Sequence, residues 1–91
     1  MQLKIFVTVA ELGNVTRAAE LLGITQSAAS AALATIENAY AIKLFNRVGR
    51  SIKISELGRR FLPEALTAVA SCEEAARSLR ALGGKTTGSL D

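Results

Sequence analysis

Apolar residues cover most of the first twelve positions of the chain and leave only a narrow polar stripe of Lys4, Thr8 and Glu11. Polar positions spaced by four and three residues share one side of a helix, so residues 2–12 are predicted to form an α-helix that is buried on most sides. Thr16 is predicted to cap a short second helix over 17–22. Gly23 ends that helix and opens a short turn to the next one.

The third predicted helix begins after the cap residue Thr25, extends to about residue 40 and has two contrasting faces. Its core-facing stripe recurs at intervals of four, three and four residues and consists of Ala29, Leu33, Ile36 and Tyr40. The opposite face has only small or amide-bearing side chains, namely Gln26, Ser27, Ser30, Ala31 and Ala34. Because it carries no charge and little bulk, this face is suited to close approach by another surface.

A hairpin and a long helix are predicted in the second half of the chain. Residues 44–47 and 51–54 form two short strands with Gly49 in the turn between them. Ser55 caps a final helix that extends to about Leu82, where Gly83 and Gly84 stop it. An apolar seam with alternating steps of three and four residues, typical of coiled coils, follows this helix at Leu62, Ala65, Val69, Cys72, Ala76 and Leu79. A helix this long exceeds what so small a core can cover, so the seam predicts a partner chain.

Charge is concentrated in one segment. The 91 residues are enough for one small domain and carry a net charge of only +3. Residues 43–60 nevertheless hold six of the cations against one acidic residue, Glu56. Such a cluster is typical of polyanion binding, although a solvated surface run produces it about as often, so its position in the fold must decide between the two.

Several classes of function are disfavoured by what the sequence lacks. The chain has no histidine and a single cysteine, so neither an internal disulfide nor a Cys/His zinc site is expected. No catalytic site or cofactor is predicted, because histidine and a glycine-rich phosphate loop are both missing. No secretion signal and no apolar run of about eighteen residues occur, so a soluble, cytoplasmic protein without a membrane role is expected.

The order helix, glycine-containing turn, helix and basic hairpin is that of a winged helix-turn-helix. Residues 24–30 (ITQSAAS), 36–37 (IE), 44–47 (LFNR) and 55–58 (SELG) resemble the signature of LysR-type transcriptional regulators, and the resemblance spans essentially the whole chain. It implies a mainly α fold. By this resemblance, three helices and a two-stranded wing are expected over residues 1–57, a dimerising linker helix over 58–82, and a hinge towards an absent effector-binding domain over 83–91.

The resemblance also implies partners. These are double-stranded DNA with an interrupted palindromic site, a second copy of the chain in a homodimer or a tetramer, RNA polymerase, and a small-molecule effector bound only by the missing domain. The predicted DNA contacts are Thr16, Arg17, Thr25, Gln26, Ser27, Ser30, Arg47, Arg50 and Lys53. The predicted dimer contacts are Phe6 and the six residues of the seam.

Individual roles follow from residue chemistry within that plan. Gln26 is predicted to contact adenine or a phosphate, and Arg47 and Arg50 to contact phosphate or the minor groove. Ala31 stands where many LysR-type regulators carry arginine, so an arginine–guanine pair is not expected there.

Two alternatives remain open from the sequence. One is a winged-helix regulator of another family, such as the molybdate-responsive regulators, which share the same plan. The other is a helical module for protein interaction and dimerisation, in which the charges of the wing only aid solubility. Binding to DNA at low salt separates this second alternative from the DNA-binding hypothesis.

Overall fold

The structure, a computed structural model, describes residues 2–49 and 51–90, and the side chains of the second range up to residue 83. The elements in chain order are α1 (Gln2–Leu12), α2 (Val15–Leu22), α3 (Gln26–Tyr40), β1 (Phe45–Val48), β2 (Ser51–Ile54) and α4 (Glu56–Leu90). Three helices, a two-stranded wing and a long final helix confirm the predicted mainly α winged helix-turn-helix fold. No helix in these described ranges is both long and apolar enough to cross a membrane.

The core is centred on Phe6, whose side chain is completely buried. Its ring lies 5.5 Å from the ring of Phe45 and 5.4 Å from that of Phe61, measured between centroids. Tilted aromatic pairs at this spacing contribute about 0.5–1.5 kcal/mol each beyond their burial. One aromatic residue from each of α1, β1 and α4 therefore ties the first helix, the wing and the last helix together.

The caps of the first helices differ in part from expectation. Helix α2 begins at Val15, and the Asn14 side chain accepts a hydrogen bond of 2.9 Å from the Arg17 N–H. The predicted cap at Thr16 is therefore wrong: burial of Val15 draws the helix start two residues earlier and leaves Thr16 exposed in the first turn. Thr25 is confirmed as the cap of α3, because its hydroxyl accepts from the Ala28 N–H at 3.0 Å.

The turn between α2 and α3 depends on Gly23. This residue has a φ of 72°, in the left-handed region that glycine adopts without a steric penalty. The following amide, that of Ile24, donates a 3.0 Å hydrogen bond back to the Ala19 carbonyl, as in a common helix-ending motif. The predicted helix, glycine turn and helix are thus confirmed.

The side-chain pattern of α3 is confirmed except at one position, and that of α1 except at Thr8 and at Leu12, which is 43% exposed. In α3, Ala29, Leu33 and Ile36 are buried, but Tyr40 is 72% exposed. Tyr40 is the last residue of α3, and the chain turns away at Ala41, which has a φ of 54°, so no element covers the tyrosine ring. In α1, Thr8 is buried rather than on a polar stripe, and its hydroxyl is satisfied by donating to the Lys4 carbonyl at 2.7 Å.

The wing is an antiparallel ribbon whose register places its side chains on two faces. Arg47 pairs with Ile52, Asn46 with Lys53, and Val48 with Ser51. Directly paired residues lie on the same face of a ribbon, and neighbours along a strand alternate. Arg47 therefore shares the face of the buried Ile52, whereas Lys53 lies on the other face.

Helix α4 begins inside the domain and extends far beyond it. The Ser55 hydroxyl accepts from the Gly58 N–H at 3.0 Å and donates to the Lys43 carbonyl at 2.6 Å, so the predicted cap is confirmed. The helix has 35 residues and passes through Gly83 to Leu90, so the predicted stop at residues 83–84 is wrong. Glycine costs a helix only about 1 kcal/mol relative to alanine, which weakens a helix without ending it. The division of the chain at residues 57 and 82 stays a prediction.

Candidate nucleic-acid interface

The outward face of α3 is uncharged along its whole length. With about 100° of rotation per residue, Ser27 and Ala31 lie opposite the buried stripe, and Gln26 and Ser30 lie at the edge next to the wing. Gln26, Ser27 and Ala31 are exposed, and Ser30 is half-buried. Over residues 26–31 the centre of this face presents a hydroxyl and a methyl group, while its wing-side edge presents an amide and a second hydroxyl.

A polar cleft of about 210 Å³ opens where α2, α3 and the wing meet. Thr16, Gln26 and Arg47, which were predicted as DNA contacts from three separate parts of the sequence, all line it. We call it the α2–α3–wing cleft, and its complete lining is Gly13, Asn14, Val15, Thr16, Gln26, Arg47, Ser51 and Ile52. No acidic residue occurs in this set.

Arg47 also lines a second cleft, of about 230 Å³, whose polar or charged lining further includes Ser30, Glu37 and Lys43. Since Arg47 borders both clefts, its side chain lies beside the wing-facing edge of α3 and not at the tip of the hairpin. This placement agrees with the register of the ribbon, in which Arg47 shares a face with Ile52. The structure thereby places a cation from a different element beside the uncharged outward face of α3.

Glu37 positions the strand that carries Arg47, a role that the sequence reasoning did not identify. One of its carboxylate oxygens accepts from the Leu44 N–H at 2.7 Å and from the Phe45 N–H at 3.2 Å. Charge-assisted bonds of this kind are the stronger class of hydrogen bond. The signal available in the sequence was that Glu37 is the one charged residue of α3.

The other predicted DNA contacts are distributed differently. Lys53 lies on the opposite face of the wing, in a separate cleft with Ala10 and Arg59, so the structure does not bring it next to α3. Arg17 and Thr25 are exposed, at the first turn of α2 and the cap of α3 respectively. Arg50 lies outside the described residues.

The predicted dimer seam divides into two parts. Ala65 is completely buried in its own domain, and Leu62 and Val69 pack partly against the same core. Beyond them Cys72 is exposed, Ala76 is half-buried and Leu79 is 70% exposed. The assignment of Phe6 to the dimer contact is wrong, since its ring is enclosed by its own chain and has no surface to offer.

An ion pair between Lys4 and Glu73 joins α1 to α4 near the point where α4 leaves the domain. The hydrogen bond that Lys4 donates and the positive charge of Lys4 hold the pKa of the Glu73 carboxyl below its ordinary value. Both side chains are nearly half exposed, so solvent screening keeps the contribution of this pair to stability small. It marks the last polar contact between the winged domain and the linker half of α4 among the described residues.

Comparisons with known proteins agree with this geometry. Residues 1–59 match the family described as bacterial regulatory helix-turn-helix protein, lysR family. An HTH-type transcriptional regulator encoded in the ibpB–leuC intergenic region of Azotobacter vinelandii is 38% identical over 88 residues, which are 97% of this chain and 61% of that protein. The chain therefore spans less than two thirds of the length of that relative.

Two solved structures have the same fold. The oxidized form of Corynebacterium glutamicum OxyR superimposes with a TM-score of 0.82 at 31% identity, over 86% of this chain and 25% of that one. The DNA-binding domain of CbnR, solved as a complex with DNA, gives 0.77 at 29% identity, over 90% of this chain and 94% of that one.

These matches decide between the alternatives that the sequence left open. The match to the lysR family rules out a winged-helix regulator of another family, and the relatives are regulators of transcription, not enzymes. The resemblance noted at residues 24–58 is thus confirmed across the winged domain. The chain belongs to the LysR family of helix-turn-helix transcriptional regulators and comprises a DNA-binding domain of that family.

Proposed function

We propose that the chain binds a specific double-stranded DNA site as a homodimer, with α3 in the major groove and each protomer on one half of an interrupted palindrome. The observation that carries this proposal is the exposed, uncharged face of α3 with Arg47 at its edge. A major groove admits one α-helix, and small side chains at the centre of that helix allow its backbone to approach the base edges. The related CbnR DNA-binding domain was solved as a complex with DNA, which supports DNA binding by this fold.

The distribution of charge assigns base contacts to α3 and phosphate contacts to the wing. Ser27 and Ala31, at the centre of the outward face, are placed to meet base edges, where alanine favours the methyl group of thymine. Arg47, at the edge of that face, is placed to meet the phosphate backbone, which supplies affinity independent of sequence. Helix α3 has no arginine or lysine, so guanine contacts of the arginine type are not available from it.

Replacing Arg47 with alanine should weaken binding to all DNA sequences alike. The slope of log affinity against log salt concentration should decrease by about one, because a protein that neutralises one phosphate fewer also releases about one counterion fewer. Fluorescence anisotropy titrations with a labelled duplex at several salt concentrations measure this slope. Arg80→Ala, which removes an equal charge from the distal part of α4, is the matched control and should keep the wild-type slope. Equal slopes for wild type and Arg47→Ala would contradict a phosphate contact at Arg47.

The dimer is proposed to form through the distal half of α4. Leu79 and Leu82 are exposed, and the helix of 35 residues is about 52 Å long, whereas the shorter dimensions of the molecule are 25 and 21 Å. Apolar residues on a helix that extends beyond its own domain are best covered by the equivalent helix of a second copy. Dimerisation also places two α3 helices on one duplex, which is what an interrupted palindrome requires.

Leu79→Glu should convert the dimer to a monomer, since a carboxylate at the seam would be buried next to its symmetry mate. Sedimentation velocity over a range of protein concentrations measures the change. Ala81→Glu adds the same charge two positions away, on an exposed side of α4 that points away from Leu79, and should leave the dimer intact. A dimer that survives Leu79→Glu, or that is lost in both variants, would show that the partner contact lies elsewhere.

The location of the protein and its partners other than DNA are also proposals, and they concern the intact regulator. The DNA-binding chain is proposed to work in the cytoplasm, where the DNA is. A small-molecule effector is proposed to bind a separate domain of the longer protein, because the relatives exceed this chain in length. Assembly to a tetramer and contact with RNA polymerase are proposed as functions of the intact regulator.

A further inference from the structure

Three segments of the family signature meet in the fold around one short stretch of backbone. The amides of Leu44 and Phe45 donate to one carboxylate oxygen of Glu37, at 2.7 and 3.2 Å. On the carbonyl side of the same stretch, the Ser55 N–H donates to the Leu44 carbonyl at 2.8 Å, and the Ser55 hydroxyl donates to the Lys43 carbonyl at 2.6 Å. Helix α3 and the start of α4 therefore hold this stretch between them.

Glu37 also carries the turn that leads from α3 into this stretch. Its main-chain carbonyl accepts from the amides of Ala41 and Ile42, the latter at 3.1 Å. Ala41 has a φ of 54°, in the left-handed region that residues other than glycine rarely adopt. The turn is thus bonded to the main chain of Glu37, and the entry to β1 is bonded to its side chain. Removing the side chain takes away only the bonds at the entry to β1.

The side chain of Glu37 lies where it can determine the position of Arg47. Ser30 and Glu37 are seven residues, or about two turns, apart on the same edge of α3, and both line the cleft that Arg47 also borders. Phe45 and Arg47 are two residues apart in β1, so their side chains share one face of the strand. The Phe45 amide is bonded to Glu37 and its ring lies against Phe6. The anchoring of Phe45 therefore sets where Arg47 lies beside α3.

Neutralisation of a neighbouring cation does not account for this carboxylate. Among the described side chains, no ion pair within 4 Å joins Glu37 to Lys43 or Arg47, although all three line the same cleft. A negative charge beside a surface that meets DNA repels the phosphates. Charge alone therefore predicts that removal of this carboxylate strengthens DNA binding, whereas its hydrogen bonds to the backbone of the wing predict the reverse.

We infer that Glu37 is a positioning residue for DNA binding. Without contacting DNA, its carboxylate holds the start of β1 against α3 and so sets the distance between Arg47 and the outward face of that helix. This role rests on the proposed contact between Arg47 and the DNA backbone, and it makes that proposal more specific. The wing and α3 then meet the duplex as one unit and not as two independent elements.

The test measures affinity for a duplex that the wild-type chain enriches from a random-sequence pool, at several salt concentrations. Glu37→Ala should bind about tenfold more weakly and lower the slope of log affinity against log salt by about one, as Arg47→Ala does. The double variant should be no more than about threefold weaker than Arg47→Ala alone, because a residue that acts through Arg47 has little left to position once Arg47 is gone. Glu74→Ala removes an exposed acidic residue from α4 and should keep the wild-type affinity and slope.

Two conservative variants separate the hydrogen bonds of Glu37 from its charge. Glu37→Gln loses the charge but keeps an oxygen acceptor at the same reach, so it should bind DNA at least as tightly as wild type and with the same slope. Glu37→Asp keeps the charge but is one methylene shorter, so it should lower the slope as Glu37→Ala does. If circular dichroism shows that Glu37→Ala is unfolded, the contrast between Gln and Asp at this position carries the test.

Each other outcome overturns a stated part of the proposal. Tighter binding by Glu37→Ala, or a loss of affinity that is equally large with and without Arg47, would exclude a role through Arg47. A lower urea unfolding midpoint with unchanged DNA affinity would show that Glu37 only stabilises the fold. If Arg47→Ala lowers the slope but Glu37→Ala and Glu37→Asp do not, the inference fails while the Arg47 contact stands. If Arg47→Ala itself behaves as wild type, or no duplex is enriched, the proposed function fails.

Discussion

Replacing Phe6 with alanine is expected to lower the free energy of unfolding by about 3–5 kcal/mol, the range for a large aromatic side chain removed from a core. The ring is completely buried and lies against the rings of Phe45 and Phe61. Its loss leaves a cavity between α1, the wing and α4, so packing around all three elements is weakened together. Domains of this kind have total stabilities of only about 5–15 kcal/mol, so a large share of the total is at stake.

Urea denaturation followed by circular dichroism measures this effect as a shift of the unfolding midpoint. Leu12→Ala, at the end of the same helix but 43% exposed, is the control and should cost much less. Because Phe6 has no exposed surface, the dimer constant of the folded Phe6→Ala protein should stay close to that of wild type. An unchanged midpoint would mean that Phe6 is not a core residue.

The Gly58→Ala substitution is expected to destabilise the protein by about 1–3 kcal/mol or more, through overpacking and not through a cavity. A Cβ atom at this position would lie 2.4 Å from the Leu44 carbonyl oxygen and 2.7 Å from Cγ1 of Ile54. The carbonyl belongs to the backbone and accepts a 2.8 Å hydrogen bond from the Ser55 N–H, so it cannot move without disturbing the start of α4. The wing and α4 must separate slightly, or the first turn of α4 must distort.

The Gly83→Ala substitution, on the same helix, is not expected to destabilise the protein. Nothing lies within 4 Å of a Cβ atom at this position, so alanine gains helix propensity without a clash. We expect a stability equal to wild type or higher by up to about 1 kcal/mol. The urea unfolding midpoints of the two variants, measured side by side, compare their stabilities. A Gly58→Ala protein as stable as Gly83→Ala would show that the Leu44 carbonyl moves aside at little cost in free energy.

Local patterns predicted the helices and the wing well, because each rests on rules that operate within a few residues. The stripe of Ala29, Leu33 and Ile36 follows from helical periodicity alone. The prediction that Tyr40 is buried was wrong, because periodicity does not indicate where the elements that cover a helix end. The predicted cap of α2 was wrong because Asn14 and Thr16 are both suitable cap residues. The choice between them depended on whether Val15 is buried in the core.

The candidate site was predicted as a set of residues but not as an arrangement. The uncharged face of α3 could be deduced from the sequence. The position of Arg47 beside that face depends on the register of the ribbon and on the Glu37 carboxylate, which are long-range features. Lys53 was grouped with Arg47 because both are wing cations, although alternation along a strand places them on opposite faces.

The seam of α4 was predicted as a single surface, but the structure shows that its two halves have different neighbours. Ala65 is buried in the core, whereas Leu79 has no neighbour of its own domain to cover it. A periodic apolar pattern reports that a helix face is covered and does not identify what covers it. That information comes only from the packing of α1 on the first half of α4.

The burial of Ala65 also has a mechanical consequence. The first part of α4 belongs to the same core as Phe6, and the helix continues from there without interruption to Leu90. A torque applied to the distal half is therefore transmitted to the domain along one continuous helix. With about 1.5 Å of rise per residue, the 17 residues after Glu73 form a lever arm of roughly 25 Å. A small rotation of that arm turns the whole winged domain, and the tilt of α3 against the axis of a DNA duplex changes with it.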